Sequence, residues 1–564
     1  MSDGCNNNAF GPCSEAEGNN TTAGGPASHA EGELTITFGE ASHAEGYQTT
    51  AIGVTAHSEG YQTIAEANGS HAEGELTKAS GEASHAEGFQ ATASGNASHA
   101  EGIATTASGL GAHAEGGTPD IASTPAPIAS GNFSHAEGIS TKATNDAAHA
   151  EGDNTTASGV NSHAEGSGTT SSGFASHAEG FTTEASNLGA HVEGAFSLAS
   201  GVSSHAEGNS TLASGFASHA EGEGTDATAR AAHAEGTSTE ASGPSSHAEG
   251  IETKASGVAA HAEGVSTTSS GFGSHAEGLG TQATGQSAHA EGDGSIASAT
   301  SAHAEGSATI ANASLAHTEG GRTSANGLIG VHVMGQNGAP NPAGGDLPFS
   351  WFLVNGAAPY STAGVVAKIQ SNGTACFDST VTASAFNTAA GACDFAEMYE
   401  TSTGELIDVG YFVTLDGASE KIRKANASDD YILGITSSNP GVLADAEDPA
   451  CGKFLLDEWN RKQYEDIVLP AITDREGNII VPERMEKRPV LNPFWEPEKP
   501  CRSRLERPEW AAVGMIGKLL VRDDGTCVVG GYCMPNNEGI ATKSETGYRI
   551  LKRTGTNQVL VVFR

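Results

Sequence analysis

The chain has 564 residues, of which 75 are glycine and only 5% aromatic, and its formal net charge is −41. So few large side chains cannot fill a wide core, so a thin, repetitive architecture with a small-residue interior is expected. The charge is uneven: residues 1–350 carry 5 Lys+Arg against 39 Asp+Glu, and residues 351–564 carry 22 against 29. An N-terminal part this acidic repels phosphate backbones, which excludes nucleic acid as a natural partner.

The first residues, Met1-Ser2-Asp3-Gly4-Cys5-Asn6, lack the basic and then apolar stretch of a secretory signal. No apolar run reaches about 18 residues, so no membrane span is expected. The eight cysteines form no CxxC pair or regular framework, which argues against a zinc site. These features suit a protein made in a host cytoplasm that leaves it only as part of a particle, with residues 1–13 as an attachment segment.

From residue 14 to 322 the chain repeats. Histidine recurs every 14 residues from His29 through His43 to His113, and again from His135 through His219 to His317. One longer step, between His113 and His135, places an insertion at about 117–127, a Pro-rich surface loop. Counting Ser14-Glu15-Ala16-Glu17-Gly18, where Glu15 takes the histidine place, there are 22 copies of a Ser-His-Ala-Glu-Gly unit.

Fourteen residues are too few for a helix pair and suit two short strands and two tight turns. In Ala213-Ser214-Gly215-Phe216-Ala217-Ser218-His219-Ala220-Glu221-Gly222, the glycines Gly215 and Gly222 mark turns where positive φ is cheap. Alternation along a strand puts His and Glu on one face, and Ser, Ala and Gly on the other. Coils stacked at about 4.8 Å predict a rod of roughly 105 Å.

The unit resembles the head repeats of trimeric autotransporter adhesins in its Gly, Ser and Ala spacing. That resemblance implies a left-handed parallel β-roll in a homotrimer. The adhesins carry aliphatic residues facing the three-fold axis where this chain carries His29/Glu31, His43/Glu45, His219/Glu221, His317/Glu319 and their equivalents. The chain also lacks the signal sequence and C-terminal anchor of that family. The His-Glu pairs are expected to hold chains in register, since a buried charge must be paired. An axial column of histidines binding metal and an outward ladder used for recognition are the alternatives. No cofactor is expected, and so many equivalent copies speak for construction, not catalysis.

Residues 323–393 read as a β-rich neck, with candidate strands in Phe349-Ser350-Trp351-Phe352-Leu353-Val354, Val365–Ile369 and Thr380–Ala383. Residues 394–564 read as a mostly-β domain. Its candidate strands lie within Tyr411–Gly417, Tyr431–Thr436, Ala512–Val521 and Gln558–Phe563, and a short amphipathic helix is predicted over Phe454–Tyr464.

The junction carries the most informative motif: Gly391-Ala392-Cys393-Asp394-Phe395-Ala396-Glu397-Met398-Tyr399-Glu400. With Asp408–Val413 and Asp429–Gly434, it resembles the intramolecular-chaperone autocleavage domain of phage appendage and tail-spike proteins, over residues 390–564. In that family the domain helps three chains find register and then cuts itself off before the Asp of the motif. The resemblance implies a scissile bond at Cys393–Asp394, with Asp394 and Glu397 as catalytic carboxylates.

The residues allow this chemistry by themselves. Two carboxylates can divide acid and base roles when their environments separate their pKa values. All 22 histidines lie at or before His332, which excludes a Ser-His or Cys-His system within residues 394–564. Cys393 offers a second route, its thiol attacking its own carbonyl to give a thioester.

The functional expectation is a trimeric structural and adhesive appendage or tail-spike-like protein. Its N-terminus would join a particle, and its roll or tip would meet a host cell-surface glycan or receptor. The only chemistry expected is single-turnover self-cleavage. The alternatives are a polysaccharide-degrading tail spike and a bacterial surface adhesin without autocleavage. The thin roll offers no obvious cleft for the first, and the missing export signal and anchor disfavour the second.

Overall fold

The computed structural model describes residues 6–118, 120–378, 381, 394–446, 452–469, 472–473, 479–481, 483–495 and 502–564. It is nearly all β, with a parallel β-solenoid of about 23 turns followed by a mostly-β region. Among the described residues, no helix is long and apolar enough to cross a membrane. The chain divides into two units: residues 1–338 with 348–354, and residues 339–347 with 355–564.

In the first unit each coil contributes a strand that starts at its histidine, such as His219–Glu223, and a two-residue strand such as Leu212–Ala213. Each strand pairs in parallel with its equivalent one coil on. His219 faces His233, Ala220 faces Ala234, Glu221 faces Glu235, and Leu212 faces Asp226. Because the sequence period equals one coil, like stacks on like throughout. The register survives the insertion, where His113 faces His135. It also runs on to His332–Gln336, where His317 faces His332 and Met334 takes the glutamate place. At the other end, Asn8–Ala9 already pairs with Thr22–Ala23.

The interior between the two columns of strands is built from alanine, serine and threonine. Ala213 and Ala220 are fully buried, and Ser218 and Thr211 nearly so. The Ser218 hydroxyl donates to the Gly215 carbonyl at 2.9 Å, so this buried polar group is satisfied within its own turn. A coil this thin closes on small side chains alone.

The turns differ in one respect from the sequence expectation. Gly222 does adopt positive φ (110°), but Gly215 does not. The left-handed positions are Ser210 (φ 58°) and Ala217 (φ 53°), neither of them glycine. Gly215 is required for a different reason: a Cβ there would lie 1.9 Å from the Ala229 carbonyl oxygen of the next coil.

The second unit centres on the long strand Trp510–Arg522. Its first half pairs antiparallel with Asp394–Glu400 and with Gly434–Thr436, and its second half with Gln558–Phe563. Phe412–Leu415 pairs with Gly434–Thr436, and Val365–Ile369 pairs with Ala375–Phe377. Phe412, Ile435, Val521, Val559, Val561 and Phe563 form the core, with Tyr548 stacked on Phe563 at 4.5 Å between centroids.

The helix predicted over Phe454–Tyr464 is not formed. Phe454 bridges to Leu491 and Leu456 to Lys462. The Asp457 side chain accepts from the backbone N–H groups of Trp459 (2.8 Å) and Arg461 (2.9 Å), and Asn460 is left-handed. This side-chain capture of the backbone turns the chain back on itself where a helix would have continued. Strand structure in 431–436 is likewise confined to Gly434–Thr436. The candidate strand Thr380–Ala383 lies outside the described residues apart from Val381.

Candidate functional site

Asp394 opens the strand Asp394–Glu400, opposite Gly517 of the long central strand. Its side chain is only 7% exposed, and its Oδ2 is shielded from solvent without a hydrogen-bond partner among the described residues. The reason for the burial is local. A bulge at Met515 brings Gly514 beneath the carboxylate, and a Cβ on Gly514 would sit 2.8 Å from Asp394 Oδ2. The Asp394 carbonyl accepts from the Gly441 N–H at 2.8 Å, which fixes the start of the strand.

Asp394 borders a cavity of about 510 Å³ that also includes Thr436, Ser437, Asn439, Lys518 and Arg522. Arg522 is tied to the Asp408 carboxylate, and its Nε donates to the Val409 carbonyl at 2.8 Å. Thr436 accepts from the Tyr411 N–H at 3.0 Å and donates to the Asp408 carbonyl at 2.8 Å. The cavity therefore sets a desolvated carboxylate near hydroxyls, an amide and two cationic side chains.

Glu397 lies elsewhere. Along the strand, residues 394, 396 and 398 are buried while 395, 397 and 399 are half-buried. Glu397 borders a second cavity of about 910 Å³ with Tyr399, Asp445, Arg504 and Trp510. The Tyr399 hydroxyl donates to Glu397 Oε2 at 3.2 Å and also contacts Met515 Sδ at 3.7 Å. Burial, together with the adjacent Glu397 carboxylate, pushes the Tyr399 phenol up to about 12, so it stays a neutral donor. Arg504 stacks over the Trp510 ring at 4.0 Å and pairs with the Asp445 carboxylate.

The structure thus buries Asp394 as a candidate reactive group should be, yet does not bring Glu397 to it within one chain. Cys393 lies outside the described residues. Ring size argues against a thioester formed on its own carbonyl, since the thiol would close a strained four-membered ring. Tyr399 and Gly514 stood inside quoted segments of the sequence, but nothing in the pattern marked them. The tyrosine's role follows from facing Glu397, and the glycine's from the bulge.

The repeat histidines and glutamates stand on the outer face of the roll, each about one-third exposed; His219 and Glu221 are 37% and 33% exposed. Successive imidazoles stack at 4.4–4.9 Å between centroids along the whole column. Most pair with a carboxylate of their own coil or the one before: His43–Glu31 spans 3.8 Å, His57–Glu45 spans 4.0 Å, and His317–Glu305 spans 3.7 Å. His332 closes the series against Glu319 at 3.6 Å.

Burial, then repulsion by neighbouring imidazoles, holds His71, His205 and His317 below the ordinary histidine range. Hydrogen bonds to Glu193 and Glu221 push the Glu207 carboxyl up to about 7, while Glu193 is lowered by its hydrogen bonds to Glu207 and Glu179. Adjacent carboxyls of the stack therefore titrate as a coupled set.

Comparison with known proteins settles the class of the second unit. Residues 352–558 match the family model Peptidase_G2, IMC autoproteolytic cleavage domain. This C-terminal region is an autoproteolytic cleavage domain. The match takes in residues well before the Asp394 motif.

The chain is 35% identical over 164 residues to a pre-neck appendage protein of Bacillus phage B103, covering 28% of this chain and 17% of that protein. It is 34% identical over 176 residues to a preneck appendage protein of Bacillus phage PZA, covering 30% and 19%. The chain thus spans less than a fifth of the length of these relatives. A solved C-terminal fragment of the bacteriophage phi29 gene product 12 is 30% identical, with 30% of this chain and 100% of that chain covered and a TM-score of 0.25.

Proposed function

We propose that the protein is a homotrimeric phage appendage whose autoproteolytic domain, residues 394–564, cuts the chain at Cys393–Asp394 once the roll has assembled. The observation that carries this reading is the burial of the Asp394 carboxylate, its Oδ2 without a hydrogen-bond partner among the described residues, at the first residue of the strand Asp394–Glu400. A carboxylate on the residue that supplies the leaving amine reaches the preceding carbonyl carbon through a six-membered ring. It can attack that carbon directly or activate water beside it. Hydrolysis leaves the new carboxylate on Cys393 and the new amine on Asp394. Glu397 supplies the second carboxylate. Because it faces away from Asp394 in its own chain, it acts on the bond of a neighbouring chain.

The roll explains the need for such a domain. Each coil is nearly identical to the next, so three chains could mispair by one repeat with almost no loss of contact. A folded domain at one end of the repeat fixes the start. Its removal afterwards leaves the zipped trimer kinetically trapped. The N-terminal end would join the particle, the roll, whose strand pairing runs from Asn8 to Gln336, and the neck after it would project, and a host-surface glycan or receptor would be the target.

Denaturing electrophoresis and N-terminal sequencing of the purified protein test the cleavage. The expected product begins at Asp394, and Asp394→Asn abolishes it. A wild-type chain that stays at full length would sink the proposal.

A further inference from the structure

We propose that the imidazole–carboxylate column on the roll is a linear array of sites for divalent transition-metal ions of the zinc class, each held between histidines of successive coils and the glutamate between them. In His71, Glu73 and His85, the three donor atoms lie within 4.8 Å of one another. The same arrangement recurs at His85–Glu87–His99 and at His99–Glu101–His113, and so on along the stack.

Nε2 of His85, His99, His113 and His135 already lies 3.0 to 3.3 Å from a glutamate oxygen of the coil before, but elsewhere two features point to an ion. Nε2 of His71, His205, His219 and His233 is shielded from solvent without a hydrogen-bond partner among the described residues. Yet each faces a carboxylate oxygen at 3.7 to 3.9 Å: His71–Glu59 at 3.7 Å, His205–Glu193 at 3.9 Å, His219–Glu221 at 3.8 Å and His233–Glu235 at 3.7 Å. These gaps are too long for hydrogen bonds. They match the separation of two donors each bound about 2.1 Å from a common zinc ion, which is roughly 3.4 Å at a tetrahedral angle. An ion between them would need only a small inward swing of the side chains.

The donor set also fixes the ion class. Imidazole nitrogen with carboxylate oxygen suits zinc, nickel, cobalt or copper, while calcium and magnesium favour all-oxygen shells. Continuity of the stack makes each glutamate available to histidines on both sides, so occupancy at one coil does not block the next.

The test uses the full-length protein, stripped with a chelator, dialysed against zinc chloride and measured by mass spectrometry of bound metal. The expected result is several zinc ions per chain, retained in excess calcium. The variant His205→Gln/His219→Gln/His233→Gln should lose roughly one ion per replaced histidine while keeping its β-sheet circular dichroism. Fewer than one ion per chain, displacement by calcium, or unchanged loading of the variant overturns the proposal. X-ray absorption of zinc-loaded wild type gives an answer independent of that variant's folding. Imidazole scattering supports the array, and an all-oxygen shell overturns it.

Discussion

Asp394 and Glu397 point to opposite faces of the same strand, the first toward Gly514 and the second toward Tyr399. Three residues along an extended chain is an odd step, so the two carboxylates cannot meet at one peptide bond of their own chain. If Glu397 acts on a neighbouring chain, a mixed trimer should reveal it. Co-expression of a tagged Glu397→Gln chain with Asp394→Asn chains is expected to restore cleavage of the tagged chain, read as a fragment on a denaturing gel. Absence of rescue, with both variants trimeric, would place Glu397's role within its own chain.

Gly514 holds the floor beneath Asp394. A methyl group there would come 2.4 Å from Leu519 Cδ2 as well as 2.8 Å from Asp394 Oδ2. Gly514→Ala should therefore displace the carboxylate and slow self-cleavage by at least about tenfold, equivalent to roughly 1.4 kcal/mol of barrier. The time course of fragment appearance on refolding measures this. A wild-type rate would show that the packing beneath Asp394 does not matter to the reaction.

Two substitutions one turn apart should act with opposite signs. Gly222→Ala forces a Cβ to 2.1 Å from the Gly236 carbonyl oxygen at φ 110°, and should destabilise the roll by several kcal/mol. Ala217→Gly relieves a left-handed alanine at φ 53°. The relief of about 1 kcal/mol is partly offset by the flexibility glycine adds to the unfolded chain, so the change should be neutral to mildly stabilising. Denaturant midpoints for the two variants check the contrast.

Acid should loosen the roll through its histidines. Burial and stacked neighbours hold His43, His99, His163 and His275 below the ordinary value of 6.5. A histidine with a lowered folded pKa contributes stability that is full above the unfolded value. That stability is lost as pH falls through 6.5 toward the folded pKa. Glu207, raised to about 7, works in the opposite sense: its contribution is present below about 4.5 and lost as pH rises through 7. The lowered Glu193 and Glu277 lose their contribution only below about pH 4.5. Between about pH 7 and that point the raised Glu87, Glu207 and Glu291 oppose the histidines, but the histidines that shift are all lowered and outnumber these carboxyls. The melting temperature should therefore drop between about pH 7 and about pH 5.5. A double His205→Gln/His219→Gln variant should show a shallower drop, and an unchanged melting temperature across that range would refute the sign.

The sequence by itself determined the parallel stacking and its register. A 14-residue histidine period that matches one coil leaves like residues no alternative but to stack, and the 22-residue step between His113 and His135 could only loop out. It also pointed to an autoproteolytic domain in the C-terminal region, which the family match over residues 352–558 bears out. Tertiary structure alone decided the rest, wherever a residue's role depends on something distant in sequence. Gly215 is needed because Ala229 of the next coil crowds it, which no turn propensity records. Asp457 folded the expected helix into a hairpin because its side chain captured two backbone N–H groups, and Leu491 supplied a bridge partner for Phe454. The separation of Asp394 from Glu397 became legible only once the motif was known to be a strand. Proximity along the chain says nothing of facing until the backbone's period is fixed.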